Sequence, residues 1–447
     1  MSWLIDKIKN GGSQIAVIFR EKEYSYEELG RKIESYSSII KDKLNPGDIV
    51  AVISDYSFES IALFFALCEN RNIIVPITTK VDSEIEDRLT VANCRFRIYI
   101  SENSDLDIVV EDNRSEVHEL VQKLVSEQHS GLILFSSGST GKPKAMIHNL
   151  DNLIDSYQGK KGKKLVFLIF LMFDHIGGLN TLLNCLAMGV TMVFPDNRDP
   201  EHVSRLVEKY HVNILPASPT FLNLILISES YMHYDMGSLR MITYGTEPMP
   251  DSLLTKLKDV FPRVKFLQTF GTSETGISQT SSKSSNSTFI KIDDPNTEYK
   301  IVDGELWIRS KTQIMGYLNS SMERFTDDGW FKTGDLVEEA EDGYIKIVGR
   351  NKEIINVGGE KVLPSEVESV LFQMSDLMDC LVYGETNPIT GQMVVAKVLF
   401  KDVMKASEAK KRIVQFCSGK LDKYKIPAKV VLMNESEYSE RFKKKRI

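Results

Sequence analysis

The stretch that most constrains this chain is SSGSTGKPK at residues 136–144, which follows directly on the apolar run LILF at 132–135. The apolar run predicts a buried strand, and the loop after it carries little besides backbone amides, hydroxyls and two lysines. Gly138 and Gly141 let the main chain approach a ligand closely, and such a donor-rich loop suits a polyphosphate. A plain Ser/Gly turn is the alternative for this motif on its own.

The loop is not a Walker A motif, which needs Gly five residues before the Gly of Gly-Lys and Ser or Thr after that Lys. Those places hold Ser136 and Pro143. The loop instead resembles the S-G-T-T-G-x-P-K-G signature of the adenylate-forming superfamily of acyl-CoA synthetases, adenylation domains and luciferases. Ser139 replaces the first Thr and Ala145 the last Gly. The resemblance implies that the phosphates of ATP are bound by Ser136, Ser137, Gly138, Ser139, Thr140, Gly141 and Lys144.

The composition is that of an ordinary globular protein, with 447 residues, 42% of them hydrophobic, and a net charge of −7. The length predicts about two to four domains, and the charge balance disfavours a nucleic-acid partner. The most apolar run, residues 165–173, is too short to span a bilayer. The cysteines never form a CxxC pair, which predicts reduced thiols in a cytoplasmic protein, not a zinc site or a disulfide framework.

Residues 1–130 alternate between strand-like and helix-like runs, which is typical of an α/β fold with parallel sheet. Strands are expected at 15–19, 49–53 and 73–77, and helices at 25–40 and 58–69. Ser25 and Glu28 have the spacing of a helix-starting capping box.

Later segments give further expectations for the fold. Residues 165–172 are expected to form a buried strand, 216–219 a rigid turn with two prolines, and 280–288 a polar, mobile connector. Strands at 304–308 and 316–318 are expected in a small barrel.

The resemblance implies an α/β fold class with two domains. Residues 1–350 would form a large N-terminal domain of α/β subdomains with a small β-barrel subdomain, and residues 351–447 a small mobile α+β C-terminal domain. The segment Gly349-Arg350-Asn351-Lys352 resembles the family's domain junction, which makes Lys352 the hinge and places Arg350 near the ribose and phosphate. In the motif GWFKTGDL at 329–336, Asp335 is the expected acceptor for both ribose hydroxyls.

Two segments resemble the walls of the acid and adenine pockets. FDHIGGL at 173–179 is similar to the "fHiGGl" segment of acyl- and aryl-CoA synthetases, which implies that His175 lies by the substrate carboxylate and that Gly177 and Gly178 leave room. Asp174 faintly resembles the amine anchor of amino-acid-activating domains, so an amino-acid substrate stays open. The adenine-binding "GGxP" loop corresponds to Gly245, Thr246, Glu247 and Pro248.

QTFGTSE at 268–274 resembles the family's "Q-x-Y-G-x-T-E", and it supplies Thr269, Phe270 and Gly271 to the nucleotide site. Phe270 would stack on the base, and Ser273 would donate to the α-phosphate. A carboxylate beside a triphosphate needs a cation between them, so Glu274 is expected to bind Mg²⁺.

The last hundred residues carry two further motifs. The segment at 356–368 resembles the family's glycine loop, whose Gly358 and Gly359 would border the tunnel for the pantetheine of CoA or of a carrier protein. The chain ends in a form of "LPxTxxGKxxR" that places Lys443 at the catalytic lysine, with Glu437 in place of Pro and Phe442 in place of Gly.

The motifs are closest to those of fatty- and aryl-acid CoA ligases. They imply an ATP-dependent ligase that forms acyl-AMP and then a thioester, releasing AMP and pyrophosphate, with Lys443, Glu274, Ser273 and His175 in the reaction. The expected partners are a small carboxylic acid, ATP, Mg²⁺ and CoA. One alternative is an adenylation enzyme that loads an acyl or amino acid onto a carrier protein. Another is a degenerate nucleotide-binding partner protein without adenylation activity.

Overall fold

A computed structural model describes residues 2–111, 116–136, 143–439 and 441–444. The phosphate-loop residues Ser137, Gly138, Ser139, Thr140 and Gly141 lie outside this range, whereas Ser136 and Lys144 lie within it.

The described strands are, in chain order, β1 (Ile15–Phe19), β2 (Lys22–Ser25), β3 (Ile49–Ile53), β4 (Ile73–Ile77), β5 (Phe96–Ile100), β6 (Leu106–Val110), β7 (Gly131–Ser136), β8 (Lys144–Asn149), β9 (Val166–Leu168), β10 (Thr191–Phe194), β11 (Ile214–Ala217), β12 (Met241–Tyr244), β13 (Lys265–Gln268), β14 (Phe270–Thr272), β15 (Gly276–Ser278), β16 (Thr280–Ser282), β17 (Ile290–Ile292), β18 (Thr297–Val302), β19 (Glu305–Ser310), β20 (Gly316–Tyr317), β21 (Phe331–Glu339), β22 (Ile345–Arg350), β23 (Ile355–Val357), β24 (Glu360–Val362), β25 (Leu377–Asn387), β26 (Gly391–Phe400) and β27 (Lys429–Leu432).

The described α-helices are α1 (Ser2–Lys9), α2 (Tyr26–Lys43), α3 (Phe58–Glu69), α4 (Asp82–Ala92), α5 (Glu119–Ser126), α6 (Leu150–Asp155), α7 (Ile176–Met188), α8 (Pro200–Tyr210), α9 (Pro219–Ser228), α10 (Ser230–His233), α11 (Asp251–Val260), α12 (Pro364–Leu371) and α13 (Ala406–Cys417).

Two seven-stranded sheets form the body of the large domain. The first has the order β13-β12-β11-β9-β10-β1-β2 and is parallel except for β2. The second has the order β20-β8-β7-β4-β3-β5-β6, with a parallel centre and antiparallel edges. Helices α2, α3 and α7 share one apolar core with both sheets and form the layer between them. The outer faces are covered by α8, α9 and α11 on the first sheet and by α4 and α5 on the second.

A third, antiparallel sheet and the C-terminal domain follow. The third sheet has the open order β16-β17-β22-β21-β19-β18. Strand β22 leads through a 3₁₀ turn at Asn351–Glu353 into the small sheet β24-β23-β26-β25, where β27 pairs with β26. Helices α12 and α13 pack on this small sheet around a core of their own. The structure is therefore mixed α/β with a large N-terminal and a small C-terminal domain, as predicted.

Local sequence signals placed the first elements correctly. The bounds predicted for β1, β3, β4 and the helix α3 are confirmed. The three strands were recognisable because continuous apolar runs are typical of strands buried on both faces of a parallel sheet. The capping box is also confirmed: the backbone amide of Glu28 donates to Ser25 Oγ, and the amide of Ser25 donates to Glu28 Oε2.

Three expectations for later segments were wrong. Only Val166–Leu168 of the expected 165–172 strand is a strand. Pro216 and Ala217 lie in β11, and Ser218 is the N-cap of α9, so no rigid turn separates the two. Gly316–Tyr317 is an edge strand of the second sheet, paired with β8, and does not belong to the third sheet.

The polar segment 280–288 is not a free connector, so this prediction was also wrong. Thr280–Ser282 forms β16 and pairs with β17. Its hydroxyls bind the backbone of the edge strand β13, which has a neighbouring strand on one side only. Thr280 Oγ1 donates to the carbonyl of Gln268 at 2.6 Å, and Ser285 Oγ accepts from the amide of Phe266 at 2.7 Å. A Ser/Thr-rich composition therefore concealed a hydrogen-bonded hairpin.

None of the helices in the described part of the chain has the length and apolar character needed to cross a bilayer.

Gly178 shows why the glycine pair at the start of α7 is there, and it corrects the expectation that Gly178 leaves room in a pocket. A Cβ atom at this position would lie 2.1 Å from the carbonyl oxygen of Met172 and 2.9 Å from that of Leu171. Both obstacles are main chain and cannot rotate away. Glycine is required because the helix packs directly against the backbone that carries His175.

We expect Gly178→Ala to lower the free energy of unfolding by about 2 kcal/mol or more, because overpacking against backbone forces the segment to shift. Gly162→Ala is the matched control, since its Cβ would lie 3.7 Å from the nearest atom, the carbonyl oxygen of Met188. Urea denaturation should give a lower midpoint for Gly178→Ala only. Equal midpoints for the two variants would contradict this account of the glycine.

Candidate active site

Predicted site residues from distant parts of the chain line one cavity of about 240 Å³ at the junction of the two domains. They come from β7, the start of α7, the loops after β12 and β13, the domain junction and the C-terminal tail. The predicted residues brought together here are Ser136, His175, Gly177, Gly245, Thr246, Thr269, Gly271, Ser273, Glu274, Arg350, Lys352 and Lys443.

Glu274 lies in the tight turn between β14 and β15 and is 9% exposed. Its Oε1 accepts a hydrogen bond of 2.9 Å from the Tyr317 hydroxyl, and Arg324 Nη1 lies 3.9 Å from the same oxygen. Burial, with the nearby Glu274 carboxylate, raises the pKa of Tyr317, so this hydroxyl stays a donor. The carboxylate is thus fixed from one side, with one cation beside it.

The described residues contain no group of three or more His, Cys, Asp or Glu side chains that could hold a metal ion. Glu274 offers a single carboxylate. Mg²⁺ at nucleotide sites is typically held by one or two carboxylates together with substrate phosphates. The donor set therefore fits a Mg²⁺ ion that binds together with ATP.

The base of the phosphate loop is held by residues that sequence reasoning missed. Ser136 and Lys144 face each other in the β7–β8 ladder, so the loop is the connection of an antiparallel hairpin. Asn319 spans the loop's exit, because its Oδ1 accepts from the amide of Ala145 and its Nδ2 donates to the carbonyl of Pro143, both at 2.9 Å. A single Asn after a short strand gave no sequence signal.

Tyr317 is the second missed residue, and it joins the phosphate loop to the carboxylate. Its hydroxyl binds Glu274, and the Lys144 ammonium lies 5.5 Å from its ring centre. The edge strand β20 brings this tyrosine next to β8, which is why the incorrect assignment of 316–318 hid its role.

Asp335 and Arg350 form an ion pair across the third sheet. They are register partners in β21 and β22, and Arg350 Nε donates to Asp335 Oδ1 at 2.9 Å. Asp335 is only 4% exposed, and burial raises its pKa although the Arg350 charge acts in the opposite direction. Arg350 lines the cavity, whereas Asp335 is held against Arg350 and is not among the residues that line the cavity.

His175 is the N-cap of α7, and its Nδ1 accepts from the amide of Gly177 at 3.0 Å. Burial lowers its pKa well below the usual value, and the nearby Lys443 and Arg441 charges act in the same direction. The ring is therefore neutral, with its proton on Nε2 as a donor. Such a donor suits an incoming carboxylate oxygen.

The loop predicted to bind adenine is tightly built. A Cβ at Gly245 would lie 2.8 Å from the carbonyl oxygen of Thr269, so the two loops approach too closely for any side chain there. Thr246 adopts φ +73°, which is unusual for a β-branched residue. Glu247 accepts from the amide of Thr220 at 2.7 Å and from the amide of Lys444 at 3.2 Å, which ties the loop to α9 and to the tail.

Phe270 is not among the residues that line the cavity. Side chains alternate along a strand, and Thr269 and Gly271 face the cavity while Phe270 packs into the core of the third sheet. The structure gives its ring no access to a base stacked in the cavity. Pro248 lines a neighbouring cavity of about 280 Å³ between the domains, together with Thr246, Glu247 and Lys443.

Lys443 reaches the cavity from the C-terminal tail. Its pKa is lowered to about 8, first by burial and then by the charges of Arg350 and Arg441. Phe442, at the place of the family's Gly, takes the left-handed conformation with φ +50° that glycine favours. Phe442 thus adopts a backbone conformation that is uncommon for a residue with a side chain.

Gly358 and Gly359 are not brought to the cavity. They form the exposed tip of the β23–β24 hairpin, with φ values of +62° and +96°. The structure therefore combines the tail lysine, and not the glycine loop, with the other site residues.

Comparison with known proteins identifies two sequence families that match the chain. The sequence pattern of the family described as AMP-binding enzyme matches residues 6–318, and that of the AMP-binding enzyme C-terminal domain matches residues 366–443. The chain is 26% identical to 4-coumarate–CoA ligase-like 9 of Arabidopsis thaliana, over 92% of this chain and 81% of that protein. It is also 26% identical to the indoleacetate–CoA ligase of Aromatoleum aromaticum, over 94% and 91%.

Among solved structures, the anthranilate CoA ligase AuaEII in complex with anthranoyl-AMP superimposes with a TM-score of 0.81 at 19% identity, covering 98% of this chain and 94% of that one. The ATP-bound MatB of Rhodopseudomonas palustris superimposes with a TM-score of 0.80 at 19% identity, covering 98% and 96%. At this identity the likeness shows a shared fold.

The bond between Tyr317 and Glu274 gives a testable prediction. We expect Tyr317→Phe to lower the free energy of unfolding by about 2 kcal/mol at pH 7, because it removes a hydrogen bond to a buried carboxylate. Tyr56→Phe is the matched control, since the buried Tyr56 hydroxyl has no hydrogen-bond partner among the described residues and its removal should cost nothing. Urea unfolding of both variants checks this, and an equal effect would refute the assignment.

Proposed function

The chain belongs to the AMP-binding enzyme family, and we propose that it is an ATP-dependent carboxylic acid–CoA ligase that works through an acyl-AMP intermediate. The observation that carries the proposal is the position of Lys443 in one cavity with Glu274, Ser273 and His175. Glu437 and Phe442 replace the Pro and Gly of the family motif, and Lys443 nevertheless lies in the cavity. That placement supports an active enzyme over a nucleotide-binding partner protein.

In the first half-reaction, a carboxylate oxygen of the acid attacks the α-phosphorus of ATP. The bond from that phosphorus to the bridging oxygen breaks, and pyrophosphate leaves with the electron pair. The acid is already a nucleophile, so catalysis consists of positioning and charge neutralisation. We assign the acid oxygens to His175 Nε2 and Lys443, and the α-phosphate to Lys443 and Ser273.

The leaving phosphates are assigned to the loop at 136–144, with Lys144 at its exit. Mg²⁺ held by Glu274 would supply positive charge between the phosphates when ATP is bound. Tyr317 keeps the Glu274 carboxylate oriented for this role. Asp335 is assigned to the ribose hydroxyls, with Arg350 beside it as a fixed cation.

In the second half-reaction, a thiolate attacks the acyl carbonyl carbon and AMP leaves. We propose that domain 351–447 turns about Lys352 relative to domain 1–350, withdrawing Lys443 and bringing Gly358 and Gly359 to the thiol tunnel. The junction supports such motion, because Asn351–Glu353 is an exposed 3₁₀ turn that links the third sheet to the small one.

The contacts between the domains also suit a reversible motion. They include single polar bonds such as Asn223 Nδ2 to the carbonyl of Met378 at 3.1 Å and Ser252 Oγ to the carbonyl of Ser369 at 3.2 Å. Polar interfaces within a chain are typical of domains that move.

The proposed substrate is an aryl or similar apolar acid, because the relatives named above act, by their names, on 4-coumarate-like acids and indoleacetate. CoA is the proposed acceptor, and the pantetheine of a carrier protein is the alternative. An amino acid is disfavoured, because the Asp174 carboxylate is already paired with Arg441 at 3.1 Å. The five cysteines are free and buried, which supports action in a reducing compartment such as the cytoplasm.

We expect the wild-type protein to exchange labelled pyrophosphate into ATP with at least one aryl acid from a panel of aryl, fatty and amino acids, and to form a thioester when CoA is added. Lys443→Ala should slow the exchange by about 10²- to 10³-fold, the usual effect of removing one group that stabilises transition-state charge. Lys429→Ala, an exposed lysine of the same domain paired with Glu385, is the control.

Pyrophosphate exchange without formation of a CoA thioester would indicate that the acceptor is a carrier protein. No exchange with any acid would contradict the ligase assignment.

The lowered pKa of Lys443 predicts a pH limit for adenylation. Its cationic form is the one that neutralises the reacting oxygens, and this form is lost as the pH rises through about 8. The exchange rate should therefore fall about tenfold per pH unit above that point. Lys443→Arg should remove this fall, because guanidinium stays protonated. A wild-type rate that stays level from pH 7 to 10 would contradict the role.

A further inference from the structure

Arg441 connects the tail to two segments of the large domain. Its Nη2 lies 3.1 Å from Asp174 Oδ2, and its Nη1 donates to the carbonyl of Phe135 at 3.4 Å. Asp174 is buried, with 7% of its side chain exposed, and the Arg441 side chain is 27% exposed. The pair is therefore largely shielded from solvent.

Both partners of Arg441 stand at functional positions. Asp174 directly precedes His175, which begins α7 and faces the proposed acid site. Phe135 is the next-to-last residue of β7, at the entrance of the phosphate loop. Arg441 thus contacts the acid segment and the base of the phosphate loop, two residues before Lys443.

We propose that Arg441 is a positioning residue for adenylation. Its ion pair with Asp174 fixes the position at which Lys443 enters the cavity, and it holds the small domain in the adenylate-forming position. This inference rests on the function proposed above. Neither residue touches the reacting atoms in this assignment. They act through the placement of the tail.

The described neighbours Phe442 and Lys444 fix the backbone of the tail, and neither forms an ion pair with the acid segment. The Phe442 ring packs against Phe170 and Phe221 at centroid distances of 5.0 and 5.4 Å, and its carbonyl accepts from Ser218 Oγ at 2.6 Å. Lys444 points back to its own domain, where its Nζ lies 3.5 Å from Glu368 Oε2. Among the described tail residues 441–444, Arg441 is thus the one whose side chain forms an ion pair with a carboxylate of the large domain.

The ion pair gives the two domain positions different energies. When the small domain turns, Arg441 must leave Asp174. The Asp174 Oδ1 atom is buried and has no hydrogen-bond partner among the described residues, so the carboxylate would lose the one cation that pairs with it in the described part of the chain. A buried charge that loses its partner is strongly destabilised. The pair therefore favours the adenylate-forming position until the acyl-AMP product shifts the equilibrium between the two domain positions.

The Arg441 charge also acts on Lys443 itself. After burial, the charges of Arg350 and Arg441 lower the pKa of Lys443, while those of Glu247 and Asp335 raise it. Removing the Arg441 charge should therefore raise the pKa of Lys443.

The test compares Arg441→Gln, Asp174→Asn and the double variant in each half-reaction. We expect the kcat of adenylation to fall at least about tenfold in either single variant and no further in the double, because both changes remove one interaction. Thioester formation from supplied acyl-AMP and CoA should keep the wild-type rate or exceed it. The alkaline limit of exchange should shift to higher pH in Arg441→Gln.

The matched control is Arg412→Gln, which removes an ion pair to Asp376 inside the small domain and away from the junction. It should leave both half-reactions unchanged. Equal losses in both half-reactions for Arg441→Gln, or full adenylation activity in that variant, would overturn the proposal.

A second readout needs no substrate, so it separates this inference from the proposed function. Trypsin cleavage after the exposed Lys352 should be several-fold faster in Arg441→Gln and Asp174→Asn than in wild type or Arg412→Gln, because the small domain is released more often. If wild type exchanges no pyrophosphate with any acid, the ligase assignment fails. The cleavage rates would still show whether the ion pair between Arg441 and Asp174 holds the small domain in place. Unchanged cleavage in both variants would overturn the proposal.

Discussion

The desolvated ammonium of Lys443 is the interaction on which the site depends. A carboxylate and a triphosphate repel each other, and in the proposed reaction Lys443 of the small domain supplies part of the positive charge that lets them meet. The lysine loses hydration in the cavity, and this burial, together with the charges of Arg350 and Arg441, lowers its pKa to about 8. Such a cation is strong for charge neutralisation because little water competes with it. In the proposed mechanism this cation is withdrawn when the small domain turns.

The rest of the structure prepares the surfaces that this cation meets. Ser136 at the end of β7, His175 at the start of α7 and Glu274 in the turn after β14 line one cavity. Tyr317 holds Glu274 from the edge of the second sheet, and Asn319 closes the base of the phosphate loop. Each functional loop is thus anchored by a neighbour whose hydrogen bonds do not depend on a ligand.

The sequence predicted the fold class and most of the cavity, because the relevant signals are local. Apolar runs defined the buried strands, and the motif at 268–274 identified Glu274 and Ser273. The sequence could not show contacts between residues far apart in the chain. Tyr317 was assigned to the wrong sheet, and the polar run at 280–288 concealed a hairpin. Asp174 resembled an amine anchor until Arg441, 267 residues later, was found beside it.

The most direct test of the account is the distance between the two domains during turnover. Spin labels at Asp328→Cys in the large domain and Ile389→Cys in the small one suit it, because Ile389 is 91% exposed and the five native cysteines are buried. We expect one dominant distance between the two labels with ATP and acid bound. A second distance should appear once a stable acyl-AMP analogue and CoA are bound. A single distance under all conditions would show that Lys443 never leaves the cavity, and would contradict the use of one site for both half-reactions.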